Sequence, residues 1–354
     1  MSDHGQTSAE QSVNREYAAN EIVPKEARHI NFLEYAMTWG GAALQPTVWT
    51  LGGTLICVGF VQGSLATILA VLISSVIIGM IGLIGFKTGA SSTGTLRCLL
   101  GIQGSKITSV GALVSQCGWS AIGCYVGSLS LSYILSALFG LPAYGQPGGQ
   151  GTLVLGVVII SVLTYLGTVI GGTKTLKMFE TIMMIALLVF AGLITAALFR
   201  RLTWQELSSF RVPAEYSMSF SSAFNMMFVV CVTFATVVND YTRYVKTAGT
   251  ALGGSILGYS GGVYWFCAMG MAGPVVAYLN SGVFDMENAN PSALCMQLGF
   301  GIPLLCVIVF SVVTTNMIDY YSSGMNIQNL FPKLKYRLCI TIAAAAIFLW
   351  PSTP

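Results

Sequence analysis

Residues 40–47 read Gly40-Gly41-Ala42-Ala43-Leu44-Gln45-Pro46-Thr47, in the middle of an apolar run from Phe32 to Phe60. A crossing of the bilayer takes about 20 residues, so the run is long enough for one. Pro46 has no N–H, and in a continuous helix its ring clashes with the carbonyl of Ala42. Gly40 and Gly41 loosen the preceding turn. These eight residues predict a span interrupted near its centre. Freed backbone groups at that depth are tolerated only where protein buries them or where they line a cavity. Secondary transporters use interrupted helices of this kind to hold ions and substrates. The alternative is a simple proline kink packed by neighbouring helices.

The rest of the chain sets the class. It has 354 residues, of which 54% are hydrophobic and 8% charged. A typical soluble domain carries about 25% charged residues. Mean hydropathy is +0.74, and Gly63–Phe86 holds no charge until Lys87. The expectation is an all-α polytopic membrane protein with the lipid bilayer as its solvent. Residues 1–31 are polar and mixed in charge, without an apolar stretch behind a basic start. They predict a disordered cytoplasmic tail, not a cleaved signal peptide, ahead of a transmembrane domain over 32–354. The net charge of +3 gives no sign of a nucleic-acid partner.

Catalytic sets are missing. The two histidines, His4 and His29, lie in the tail, and the nine cysteines form no CxxC pair. No Cys–His or Ser–His–Asp set, disulfide framework or metal cluster is predicted, so the chain reads as neither an enzyme nor a cofactor protein.

Apolar periodicity predicts spans at Phe32–Phe60 (broken), Ser64–Phe86, Ile107–Phe139, Thr152–Gly171, Leu176–Phe199, Met218–Val238, Leu252–Leu279 and Ser292–Ile318. A ninth stretch runs from Leu338 to Trp350, shorter than a full crossing, and reads as a fold truncated after about eight to nine helices. With the N-terminus in the cytoplasm, only Arg200, Arg201 and Arg211 of the 16 lysines and arginines fall outside. That bias supports a multi-pass protein of the plasma (inner) membrane with its N-terminus inside. Glu34, Glu180 and Asp240 then sit at cytoplasmic helix ends, as interface anchors or gate pairs.

Several motifs sit in a recognisable order. After the second span the sequence reads GFKTGASSTGTLRCLLGIQGS, with a G-x-K-T-G turn, an Arg-containing short helix and a Gly-x-x-Gly-Ser turn. The third span reads SQCGWSAIG, the sixth ends in NDYTRYVK, and the eighth carries TTNMIDYYSSGMNIQNL. Together these resemble the nucleobase-cation-symport-1 family, the cytosine, purine, uracil, thiamine, allantoin and hydantoin permeases. The resemblance implies a fold of two inverted five-helix repeats, with the first and sixth helices discontinuous. It implies a symporter that imports a small heterocycle with a sodium ion or proton. Pro46 agrees for the first helix; no Gly or Pro marks a break between Val230 and Val238.

The residues themselves point to a site. Gln116 and Trp119 are three apart and share a helix face, which Gly123 and Gly127 extend with small residues suited to close helix approach. An indole stacks on a flat ring, and a carboxamide bonds its edge. The bland reading is a glutamine bonding a neighbouring helix. The resemblance places Gln116, Trp119, Thr233 and Ser311 on substrate positions and puts Cys231 where cytosine permeases have a second stacking aromatic. Either the substrate ring is then clamped on one side only, or Phe228 or Phe234 takes the role. It also puts sodium ligands on the carbonyls of Gly40 and Ala43 and the hydroxyls of Thr314 and Thr315. For both threonines the bland reading is a bond back to their own helix. Asp319 shares a face with Ser311 and Thr315. It reads either as a proton or cation site or as a helix-end residue at the cytoplasmic interface. A channel or sensor, or a non-transporting fragment of this fold, are the competing functions. Oligomeric state is unmarked.

Overall fold

The computed structural model describes residues 21–349, and for residues 171–181 the backbone alone. Among the described residues, six helical spans are long and apolar enough to cross a membrane: Phe60–Thr88, Ser92–Phe139, Gly149–Ile170, Ile182–Arg201, Ala248–Ser281 and Ile302–Leu330. The first span is two helices, α1 (Phe32–Ala43) and α2 (Pro46–Thr54). Gln45 between them is extended, and Pro46 opens α2. Proline suits that position because its missing N–H is one a helix start leaves unpaired anyway.

The elements that follow are α3 (Phe60–Thr88), α4 (Ser92–Phe139), α5 (Gly149–Arg201), α6 (Trp204–Ser209), α7 (Phe220–Val232), α8 (Val238–Thr242), α9 (Ala248–Ser281), α10 (Pro291–Leu298), α11 (Ile302–Leu330) and α12 (Tyr336–Leu349). Gly101 breaks α4 internally, with φ 70° and ψ 179°. A short Arg-containing helix therefore precedes the long one, as the Gly-x-x-Gly-Ser motif predicts.

The fourth and fifth spans are two apolar windows, Gly149–Ile170 and Ile182–Arg201, within one helical run, α5. Two expectations change. The sixth span is interrupted without Gly or Pro: a 3-10 turn at Thr233–Thr236 separates α7 from α8, and Val237 sits at φ −119°, ψ −4°. The hydroxyls of Thr233 and Thr236 bond the carbonyls of Val230 and Thr233, at 2.7 Å each. Such three-residue closures match the tight turn. The eighth span is divided at Gly299 and Gly301, both at positive φ, into α10 and the 29-residue α11. Eleven helical residues follow Asp319, about 16 Å of helix, so Asp319 is not at the end of its helix.

The described chain divides into two compact units. Unit one takes the chain up to Ala43, Thr67–Val110 and Phe224–Gly262; unit two takes Leu44–Ala66, Gly111–Ala223 and the chain from Val263. In unit one, Trp39 meets Phe234, Tyr241 and Tyr259 edge-on, with centroids 5.8, 6.2 and 5.8 Å away. Part of the expected tail belongs to this unit. Positions 1–20 lie outside the described residues, but Val23 and Ala27 are buried, and the Val23 N–H donates to the Gly89 carbonyl at 2.9 Å. Arg28 donates to the Phe86 carbonyl, and Ile30 pairs with Val245 as an isolated bridge. Backbone pairing and a few apolar anchors order this segment despite its polar composition.

Of the three carboxylates expected at helix ends, Glu34 and Asp240 cap helices, and the side chain of Glu180 lies outside the described residues. Glu34 and Asn31 exchange backbone bonds of 2.8 and 2.9 Å at the start of α1, a reciprocal cap. Asp240 accepts the Ser92 N–H at 2.9 Å, capping α4 from 148 residues away. The Arg243 Nε donates to the Asp240 backbone carbonyl.

In unit two, helices meet at glycines. A Cβ on Gly123 would lie 2.5 Å from the Asn316 side-chain oxygen, and one on Gly127 2.7 Å from Ile160. Outside the spans, Thr203 and Glu206 form a capping box that starts α6. The Thr203 backbone N–H, then its hydroxyl, hold the Glu206 carboxyl below the usual range.

Candidate functional site

Leu44 and Gln45 lie between the end of α1 at Ala43 and the start of α2 at Pro46, and this break opens onto a cavity in unit two. The atom-free space here is about 280 Å³, a figure that includes open solvent at the cavity's mouth. Gln45, Pro46 and Thr47 form one side. Trp119 and Gly123 of α4 form another, and Val312, Thr315, Asn316 and Asp319 of α11 close it. On α11 the spacing 312, 315, 316, 319 is one helical face, and on α4 Trp119 and Gly123 are one turn apart. Gly123 lets α11 come close enough for Asn316 to sit over it.

The polar groups around the cavity are ordered by their own bonds. The Asn316 amide donates to the Ser120 carbonyl at 3.1 Å and to the Cys124 sulfur at 3.3 Å. The Ser120 hydroxyl donates to Asp319 Oδ2 at 3.2 Å. The Thr47 hydroxyl donates to Gln45 Oε1 at 3.3 Å.

The sequence-derived residues fall into groups. Trp119, Thr315 and Asp319 share this cavity. Gln116 is buried one turn from it, and its side-chain oxygen accepts from Ser323 and Asn326 at 3.2 Å each. Its geometry is that of a residue tying α4 to the later half of α11. The Thr314 hydroxyl donates to the Ser311 carbonyl at 2.9 Å, the back-bond expected of a membrane threonine. Ser311 is buried. Gly40 and Ala43 lie in the last four residues of α1, whose carbonyls have no partner inside the helix. Cys231 is fully buried in unit one, where Thr233 opens the 3-10 turn. Of the two rings weighed as a substitute for Cys231, Phe234 belongs to the Trp39 cluster with Tyr259 5.3 Å away. Phe228 stacks on Phe224.

Gln45, Thr47 and Asn316 were missed. Gln45 directly precedes the breaking proline, and Asn316 sits in the quoted TTNMIDYY motif, one turn after Val312. Both signals were legible.

The family model for permeases for cytosine/purines, uracil, thiamine and allantoin matches residues 22–351. The chain belongs to this permease family. The chain is 24% identical over 326 residues to the vitamin B6 transporter TPN1 of Saccharomyces cerevisiae, covering 86% of this chain and 52% of that protein. It is 24% identical over 316 residues to the cytosine permease of Escherichia coli K12, covering 87% and 68%. The chain thus spans about half to two thirds of the length of the curated relatives it matches. Its fold is similar to that of Mhp1, a nucleobase-cation-symport-1 transporter. The TM-score is 0.77 to the inward-facing conformation, at 16% identity, over 95% of this chain and 73% of that one. Against the closed conformation with bromovinylhydantoin bound it is 0.74, at 15% identity, over 96% and 75%. The relatives are transporters, not enzymes.

Proposed function

We propose that this permease is a secondary transporter importing a nucleobase or related heterocycle, such as cytosine, a purine, allantoin or hydantoin, together with a cation. One observation carries the reading: the break in the first span and the Trp119 indole line a single cavity. Backbone ends and a flat aromatic face are what a small planar substrate requires. Trp119 supplies the stacking surface, an interaction of about 1–3 kcal/mol per base by alanine substitution. Gln116, Ser311, Thr233 and Cys231 are proposed as further substrate positions on the family resemblance.

Sodium is a hard cation and takes oxygen ligands. The proposed set is the hydroxyls of Thr314 and Thr315 and the carbonyls of Gly40 and Ala43, each described within its own unit. Thr314 donates its proton to Ser311, which leaves its oxygen lone pairs able to accept an ion. Asp319 is the alternative proton or cation group. Interruptions in both the first and the sixth span support the inverted five-plus-five arrangement of such carriers. The loop charges support a cytoplasmic N-terminus in the plasma (inner) membrane.

The test is uptake of labelled heterocycle into proteoliposomes with an imposed sodium or proton gradient. Saturable, gradient-dependent uptake that falls at least tenfold in Trp119→Ala is expected. Uptake indifferent to that change would refute the site.

A further inference from the structure

We infer that Asp319 sets ring specificity in this cavity, selecting heterocycles that present an amino group beside a ring N–H over those presenting carbonyls there; this rests on the transporter reading above. Among the nine described lining residues, Asp319 alone is charged, and none is basic. One of its oxygens, Oδ2, is taken by Ser120, which leaves Oδ1 as an acceptor. The Asn316 N–H groups are committed to Ser120 and Cys124, so its side-chain oxygen is what it offers beside Gly123. The α11 wall of the cavity is therefore rich in acceptors.

A carboxylate there is costly to bury without a partner. An amino group and an adjacent protonated ring nitrogen present two parallel N–H donors, which match a carboxylate as a charge-assisted pair. A carbonyl in the same place would set lone pairs against lone pairs, a repulsive element of the kind that produces discrimination. Trp119 is indifferent to this choice, because every such ring has a π-face. On the other side Gln45 has its oxygen engaged by Thr47 and its amide nitrogen left as a donor, suited to a ring carbonyl facing away from Asp319.

Guanine with xanthine, and isocytosine with uracil, are pairs that differ by amino against oxo at a carbon next to a ring N–H, the arrangement that gives a carboxylate two parallel donors. Binding of all four to the purified full chain, at one pH and one sodium concentration, reads the proposal directly. The unsubstituted protein is expected to favour the amino member of each pair by ~10-fold or more, the size of one hydrogen bond to a charged group. In Asp319→Asn that ratio is expected to fall to about one, while Asp319→Glu keeps its direction. Each ratio is internal to one preparation, so partial misfolding does not imitate the result. A ratio preserved in Asp319→Asn, a preference for the oxo rings, or no binding of either amino ring overturns the inference. Loss of sodium or proton dependence with the ratio intact also overturns it, and assigns the carboxylate to the coupling ion. Trp119→Ala should weaken both members of a pair alike; unchanged binding of all four rings in that variant sinks the transporter site, not the Asp319 assignment.

Discussion

Gly123→Ala and Gly118→Ala are the same substitution on the same helix, five residues apart, and they are expected to move stability in opposite directions. Both gain up to ~1 kcal/mol of helix propensity relative to glycine. At Gly118 an added methyl meets nothing within 4 Å, so that gain stands alone. At Gly123 the methyl would lie 2.5 Å from the Asn316 oxygen and 3.2 Å from its Cγ and Nδ2. Asn316 cannot simply swing aside, because its amide is held by Ser120 and Cys124. Breaking two interhelical hydrogen bonds costs roughly 0.6 kcal/mol each in a membrane protein, and overpacking costs about 1–3 kcal/mol. The two variants should therefore differ by ~2–4 kcal/mol, with Gly123→Ala ~1–3 kcal/mol below the unsubstituted protein. At about 2 °C per kcal/mol for a large domain, melting temperatures in detergent should separate by roughly 4–8 °C. Equal melting temperatures would refute the close approach of α4 and α11, and with it the seating of Asn316 at the cavity.

Gly101 sits at φ 70°, ψ 179°, a region open essentially to glycine alone, so Gly101→Ala should cost ~1–3 kcal/mol. A Cβ there would touch nothing within 4 Å, so the cost is purely conformational and should appear as a lowered unfolding midpoint. The Glu206 carboxyl is held low by Thr203. Its contribution is therefore complete above the usual carboxylate range and lost as pH falls through the depressed folded value. Amide protection factors over 203–209, exchange corrected for its intrinsic pH dependence, should fall in acid in the unsubstituted protein and be low at all pH in Glu206→Ala. Protection factors that stay flat with pH in the unsubstituted protein would refute the cap.

Much of the fold was legible because its signals are local. Pro46 cannot continue a helix, so the first break is written in one residue. Gly101 and the motif around it announce the turn inside α4, and the small-residue face at Gly123 and Gly127 announces close packing. The break after Val232 carries no such mark. It is made by a 3-10 turn in a run of ordinary residues, and nothing in Thr233–Thr236 distinguishes it from helix. The division at Gly299 and Gly301 was written in the sequence and passed over because the apolar run on either side looked continuous.

The candidate site divides in the same way. By itself the sequence determined the class, the broken span and the residue types a planar ligand calls for, since composition and helical spacing depend on nothing distant. Only the tertiary structure decided which of them share a space. Gln116 and Trp119 share a face on paper, yet Ser323 and Asn326 on α11 claim the glutamine while the indole lines the cavity. Thr314 and Thr315 are neighbours, yet about 100° of helix rotation sends one hydroxyl to its own backbone and sets the other residue beside Asp319. Partner choice is a matter of what the second helix puts opposite, and no single helix carries that information.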